Sequence, residues 1–239
     1  MTRKRWTAMA AFVVVISALA GAVALHPQEA RIVAQAVAVQ FVAPDLPQTP
    51  LRPAAAQAEP LIAAAESQVG VTLHYDPSYV RLAFPGGDVA RDVGVCTDVV
   101  IRAVRAAFGI DLQVAVNRDM AQNFGAYHAL WGLTRPDANI DHRRVPNLET
   151  LLRRAGAELA PASVPEDFAP GDIVTSRLPG NRPHIMIVSA RVARDGTPLV
   201  VHNIGAGVRV EDALYDFPHV ARFRLTPEVL AALSAISAQ

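Results

Sequence analysis

Three residues of this 239-residue chain have types and positions suited to nucleophilic catalysis: Cys96, His184 and His202. Cys96 is the only cysteine, and it stands where a loop is predicted to become a helix that stops at Gly109. A thiol at a helix N-terminus faces unpaired backbone N–H groups and the positive end of the helix dipole, and both favour the thiolate. For this residue taken alone, a buried structural cysteine is the alternative.

The two histidines stand at matching ends of successive predicted strands. His184 begins one strand and His202 ends the next. In an antiparallel hairpin the start of one strand lies beside the end of its partner, so the two imidazoles are expected to meet. One imidazole can then take the proton of the Cys96 thiol while a second polar group orients the first. Asn203 is the alternative to His202, because side chains alternate along a strand and only one of the two can face Cys96.

The elements that must position these residues are helices first and strands afterwards. Helical spacing predicts helices near residues 61–69, 96–108, 114–124, 148–154 and 227–236. Turn signals and β-branched runs predict strands near residues 173–175, 184–189, 199–203, 208–210 and 221–225. This order predicts an α+β domain with N-terminal helices packed on a small antiparallel sheet.

The N-terminal region has the pattern of an exported protein. Three basic residues at positions 3–5 precede an apolar run to Leu25 with two Ala-x-Ala sites, which predicts that residues 1–25 are a signal peptide or an N-terminal membrane anchor. Residues 26–58 are rich in Pro and Ala and predict a linker, so the folded domain is expected over residues 59–239. We therefore expect a monomeric protein of the periplasm or cell envelope. The formal net charge of zero gives no reason to expect nucleic acid as a partner.

Four segments carry a resemblance to known families. The order of a Cys at a helix start, Pro-Gly-Asp-Ile-Val, Pro-His-Ile-Met-Ile-Val and Val-Val-His-Asn resembles the NlpC-type cell-wall peptidases, a papain-like superfamily. More narrowly, the chain from about residue 59 to 225 resembles a bacterial domain-of-unknown-function family typified by the YijF proteins, through GGDVARDVGVCTDVVIRA, NIDHRRVPNL, PGNRPHIMIVS and VHNIGAGVRVED.

The resemblance implies a papain-like NlpC-type fold and a thiol hydrolase that cleaves amide bonds in peptidoglycan stem peptides. It implies Cys96 as nucleophile, His184 as general base and acid, and His202 as the orienting third member. One departure concerns Asp98, since the superfamily commonly has Asp-Cys-Ser-Gly where this chain has Val-Cys-Thr-Asp. Asp98 is expected either to face solvent in the first helical turn or to contact substrate.

Further polar and aromatic residues are candidates for binding substrate. The cluster Asp141, His142 and Arg143 either holds a substrate carboxylate through arginine or forms a solvated charged segment before a helix. Tyr75 and Tyr79 either donate to an oxyanion beside the Cys96 backbone N–H or serve as packing residues.

Other kinds of function remain open at the level of sequence. A catalytic metal site formed by Cys96, His184 and His202 is the rival use of these residues, but paired ligand spacings are missing and we expect neither metal nor cofactor. An envelope binding module without turnover and a thiol acyltransferase with the same residues are the alternatives to a hydrolase.

Overall fold

The computed structural model describes residues 46–127 and 131–238. The predicted signal or anchor segment, residues 1–25, and the greater part of the predicted linker, residues 26–45, lie outside the described residues. In the part of the chain that is described, no helix has the length and apolar character needed to cross a membrane.

Five α-helices are present in the described ranges: α1 (Glu59–Glu66), α2 (Cys96–Phe108), α3 (Leu112–Gln122), α4 (Val145–Arg154) and α5 (Pro227–Ala238). The helix predicted from Cys96 is confirmed, and it ends at Gly109, whose φ of 67° is a left-handed conformation that glycine adopts readily. Helix α4 begins three residues before its predicted start. Pro146 fits there because N–H groups of the first helical turn make no hydrogen bond within the helix, so the N–H that proline lacks is not needed.

The strands form one large sheet and one small one. Strands β1 (His74–Tyr75) and β2 (Val93–Gly94) pair in parallel. The large sheet has the order β3-β8-β4-β5-β6-β7 and contains β3 (Glu158–Leu159), β4 (Ile173–Leu178), β5 (Arg182–Val192), β6 (Pro198–Asn203), β7 (Val208–Glu211) and β8 (His219–Phe223). All its pairings are antiparallel, so the predicted α+β class with an antiparallel sheet is confirmed.

The large sheet has an apolar core on each face because side chains alternate along its strands. The larger core joins the helices to one face through Ile173, Ile185, Ile187 and Val201. The smaller core covers the other face with Val174, Met186, Val188, Val200, Phe168 and Leu214. Helix α2, which begins with Cys96, packs in the larger core against β5 and β6.

The end of the predicted linker is part of the folded unit, which differs from a domain beginning at residue 59. The backbone N–H of Arg52 donates to the carbonyl of Ala190 at 2.7 Å, and that of Val192 donates to the carbonyl of Pro50 at 3.0 Å. Strand β5 runs to Val192, but its pairing with β4 ends at Ile187. The last residues of β5 therefore need backbone partners from another segment on that side. The extended, proline-rich segment supplies those partners, as buried backbone groups require.

Candidate active site

Cys96 is the first residue of α2, but its sulfur is buried, with the residue only 4% exposed. Burial raises the pKa of the thiol to about 11, aided by the nearby charge of Asp98. The backbone N–H groups of Ile185, Thr97 and Cys96 itself lower this pKa, but by less than burial raises it. The N–H groups of the helix start thus favour the thiolate as the sequence predicted, but burial outweighs them and the resting thiol is neutral.

The two histidines contact each other, as the hairpin pattern predicted. Nε2 of His184 and Nδ1 of His202 are 2.8 Å apart, and the two ring centroids are 5.1 Å apart. Both residues are 1% exposed. Burial, followed by the neighbouring His202, lowers the pKa of His184 to about 3, so the ring of His184 is neutral at pH 7.

Asn203 does not take the third position. Its side-chain amide donates to the carbonyls of Gly94 at 3.0 Å and His74 at 3.3 Å. These bonds fasten the end of β6 to the β1–β2 pair just before Cys96. Of the two alternatives left open by the sequence, the structure places His202 on His184 and gives Asn203 a supporting position.

The Cys96 thiol contacts strand β5 at Ile185, the residue that follows His184. The Ile185 backbone N–H lies close enough to the sulfur to favour its charged form. Ile185 and Cys96 share the larger core, whereas His184 belongs by strand alternation to the face of Val188. Within residues 46–127 and 131–238, no hydrogen bond joins the Cys96 thiol to either imidazole. Catalytic hydrogen bonds are often long before substrate binds, so an unpaired thiol in the resting site is compatible with His184 as the base.

Glu211 is a member of the cluster that sequence reasoning missed. Its Oε1 lies 2.9 Å from Nε2 of His202, on the side of the ring away from His184. The hydrogen bond to His202 holds the pKa of the Glu211 carboxyl below its usual range. The available signal was the short connection between β6 and β7, which places a strand ending in Glu211 beside His202.

Asp98 and Arg143 form a buried ion pair at the first turn of the helix that begins at Cys96. Nε and Nη2 of Arg143 lie 3.0 Å from Oδ1 and Oδ2 of Asp98, respectively, and both side chains are at most 4% exposed. Asp98 Oδ2 also accepts the backbone N–H of Val95 at 2.7 Å, which caps the start of α2. Arg143 further donates to the carbonyls of Asp76 and Ser78. The expectation that Asp98 faces solvent is thus wrong, and both of its oxygens are engaged within the protein.

A cleft of about 190 Å³ opens at Cys96. Its lining includes Tyr75, Trp131, Arg143, Arg144 and Pro183 together with the first residues of α4. Burial raises the pKa of Tyr75 to about 12, so its hydroxyl keeps its proton and can donate a hydrogen bond. Tyr79 lies apart from this lining, and its hydroxyl contacts Asp137 and Asn139.

The predicted cluster before α4 is buried and not solvated. Asp141 is 1% exposed and accepts a hydrogen bond from Arg144 at 2.9 Å. His142 is 2% exposed, and burial lowers its pKa to about 4, which makes it neutral. Neither residue lines the cleft, whereas Arg143 and Arg144 do. Asp141 and His142 therefore support the wall of the cleft from behind.

The described residues do not contain a cluster of three or more His, Cys, Asp and Glu side chains arranged to hold a metal ion. Three of the four imidazole nitrogens already have partners: Nε2 of His184 contacts Nδ1 of His202, and Nε2 of His202 contacts the Glu211 carboxylate. The arrangement therefore presents a thiol at the backbone of Ile185, a neutral imidazole on the preceding residue, His184, and a carboxylate, Glu211, beyond His202.

Two comparisons with known proteins bear on this chain. A family model described as "Domain of unknown function (DUF1287)" matches residues 62–225. A protein described as "Uncharacterized protein YijF", from Escherichia coli (strain K12), is 53% identical over 160 residues, which cover 67% of this chain and 78% of that protein. The matched range includes Cys96, both histidines and Glu211.

Proposed function

From the premise that the chain belongs to the DUF1287 family, we propose that it is a thiol hydrolase of the papain-like, NlpC type. Its substrates are amide bonds in the stem peptides of peptidoglycan. The observation that carries the proposal is the position of Cys96 at a helix start, against the strand residue that follows His184, with His184 hydrogen-bonded to His202.

The neutral resting site supports a general-base route. As substrate binds, His184 takes the proton of the Cys96 thiol, and the sulfur attacks the amide carbonyl carbon. The imidazolium of His184 then gives its proton to the leaving amine, which leaves a thioester on Cys96. His184 next activates a water molecule, whose oxygen displaces the sulfur and releases the new carboxylic acid.

The charge that develops on the carbonyl oxygen has two donors at hand. The Cys96 backbone N–H belongs to the first turn of α2, where N–H groups have no partner within the helix. The Tyr75 hydroxyl lines the same cleft and remains protonated well above neutral pH. Donors placed where charge develops in the transition state contribute strongly to acyl transfer.

Arg144 is the residue in the cleft best suited to hold a substrate carboxylate. Arg143 donates to Asp98 and to two backbone carbonyls, so four of its five N–H donors are already used. The Arg144 guanidinium shares one hydrogen bond with Asp141 and stacks on Trp131, 4.1 Å from the ring centroid. Its remaining donors can form the paired contact with carboxylate that arginine favours.

The location proposed for this activity is the periplasm or cell envelope. The support is the basic and apolar pattern of residues 1–25 described above, which also leaves open a membrane tether. Peptidoglycan is the amide-bonded polymer of that compartment, and its stem peptides carry the carboxylates that Arg144 can bind.

The test compares the full chain with its Cys96→Ser and Cys96→Ala variants on purified sacculi. We expect the unmodified chain to release soluble muropeptides, and mass spectrometry of the products identifies the bond that is cut. Both variants should lose activity by at least about a thousandfold, the scale of loss for a covalent nucleophile. Equal release by the unmodified chain and Cys96→Ala would contradict the thiol mechanism.

The same assay separates the alternatives to hydrolysis. A binding module would sediment with the sacculi without releasing products. An acyltransferase would yield products extended by an added amine, because an amine in place of water resolves the thioester. Inhibition by a chelator but not by iodoacetamide would instead indicate a metal-dependent reaction.

A further inference from the structure

Glu211, His202 and His184 form a row across three neighbouring strands. Val188 pairs with Val200 on β5 and β6, and Val200 pairs with Glu211 on β6 and β7. His184 lies four positions from Val188, and His202 lies two positions from Val200. Even separations keep side chains on one face, so the three polar residues share the same face of the sheet. Their contacts of 2.8 and 2.9 Å make this row continuous.

With both imidazoles in their neutral form, the row allows one arrangement of protons. An ionised carboxylate only accepts hydrogen bonds, so Nε2 of His202 must carry the proton that it shares with Glu211. In a neutral His202, Nδ1 is then a bare acceptor. The Nε2 of His184 must therefore carry a proton and donate it to His202. A neutral His184 is left with a bare Nδ1.

That nitrogen is the ring atom that the contact with His202 leaves available to the thiol. Nδ1 is closer than Nε2 to the backbone of its own residue, and the Cys96 sulfur lies at the N–H of the next residue, Ile185. A bare Nδ1 can accept the thiol proton, whereas an Nδ1 that already carried hydrogen could not. The protonation pattern thus decides whether His184 can act as a base.

We propose that Glu211 is a positioning residue that holds both histidines in the tautomers required for His184 to act as base through Nδ1. This inference rests on the proposed function for its catalytic meaning. In the step itself the S–H bond of Cys96 breaks, the proton forms a bond with Nδ1 of His184, and the electron pair stays on sulfur. The positive charge that forms on the His184 ring is then stabilised by the Glu211 carboxylate, which is connected to that ring by hydrogen bonds through His202.

Several features of Glu211 fit this position. It ends β7, an edge strand of the sheet, and the residue is only partly buried, so substitution leaves the apolar cores intact. Its charged neighbour along β7 is Arg209, which further favours the ionised carboxylate. The next residue, Asp212, is exposed and offers a matched carboxylate for a control variant.

The test is NMR of the full chain with ¹⁵N-labelled histidine, in the unmodified protein, Glu211→Gln and Asp212→Asn. We expect His184 to show a protonated Nε2 and a bare Nδ1 in the unmodified protein and in Asp212→Asn. In Glu211→Gln the amide can donate to His202, so a second population with hydrogen on Nδ1 of His184 should appear. Glu211→Asp, which keeps the carboxylate, should restore the original pattern at least in part.

The second readout is the alkylation rate of Cys96 by iodoacetamide at neutral pH. It should fall about tenfold in Glu211→Gln, the scale of one hydrogen bond to a charged group, and stay unchanged in Asp212→Asn. Hydrogen on Nδ1 of His184 in the unmodified protein would overturn the inference, and so would a Glu211→Gln variant that matches Asp212→Asn in both measurements. Neither measurement needs a substrate, so the two proposals can fail separately. If the histidines show the expected tautomers but the protein does not digest sacculi, the proposed function is refuted and the role of Glu211 in setting the tautomers stands.

Discussion

Replacing Asp98 by Asn should destabilise the protein far more than loss of a surface charge would. The change removes the charge from a carboxylate that two Arg143 nitrogens contact at 3.0 Å and that caps α2 through Val95. It leaves Arg143 buried, with a side chain 2% exposed, and without its counter-charge. Breaking a buried ion pair from one side costs about 3–5 kcal/mol. Since Arg143 keeps two carbonyl acceptors, we expect a loss near the lower end, about 3 kcal/mol.

Urea denaturation followed by circular dichroism measures this loss, and thermal melting should show a decrease of roughly 6–12 °C for a domain of this size. The control is Glu158→Gln, which breaks a salt bridge of 2.9 Å to Arg153 whose side chains are both about two-fifths exposed. That surface pair should contribute at most about 1 kcal/mol. A loss in Asp98→Asn no larger than in the control would refute the reasoning.

A double variant separates the ion pair from other effects of the substitution. Asp98→Asn combined with Arg143→Met removes both charges, so it should be less destabilising than the sum of the two single changes by about 1–3 kcal/mol. Strict additivity would mean that the pair contributes nothing to stability. Asp98→Asn should also speed alkylation of Cys96, because the charge of Asp98 raises the pKa of that thiol.

Three further outcomes are expected. Above pH 8 the alkylation rate of Cys96 should rise about tenfold per pH unit toward the pKa of about 11, as free thiolate adds to the slower reaction that His184 assists at neutral pH, whereas a rate that stays level through this higher range would indicate a thiolate already paired with imidazolium. Arg144→Ala should raise the KM for a stem peptide about tenfold with kcat little changed, and an amidated peptide lacking the carboxylate should be insensitive to the same change. Stability should fall as pH drops from about 6.5, where the unfolded chain begins to protonate His184, toward the folded pKa of about 3, and a His184→Gln variant should lose that part of the pH dependence in urea titrations.

The sequence was sufficient to locate the helix that begins at Cys96 and the hairpin that carries the two histidines. Local signals determine both: helical spacing after Cys96 with Gly109 as the stop, and two β-branched strands with polar residues at matching ends. The meeting of His184 and His202 then follows from antiparallel geometry alone. Such features are set by residues close together in the chain or by pairing of neighbouring strands.

The charges around Cys96 could not be predicted from such local signals. The pKa of Cys96 depends on how deeply the thiol is buried, and burial arises from α2, β5 and β6 together. The partner of Asp98 is Arg143, 45 residues away, and the strand that carries Glu211 joins the row only once β7 has paired with β6. Tertiary packing also decides that residues 50–52 pair with β5, where composition alone predicted a linker.

In the proposed reaction, each charge that forms on the neutral thiol and imidazole meets a group that stabilises it. The acidic groups behind the cleft are neutralised by adjacent arginines, Asp98 by Arg143 and Asp141 by Arg144. When the thiol proton moves to His184, negative charge appears on sulfur beside the backbone N–H groups of Ile185 and Thr97. Positive charge appears on a ring that is connected through His202 to Glu211. Each new charge is therefore stabilised where it forms, while burial keeps both groups neutral until a substrate occupies the cleft.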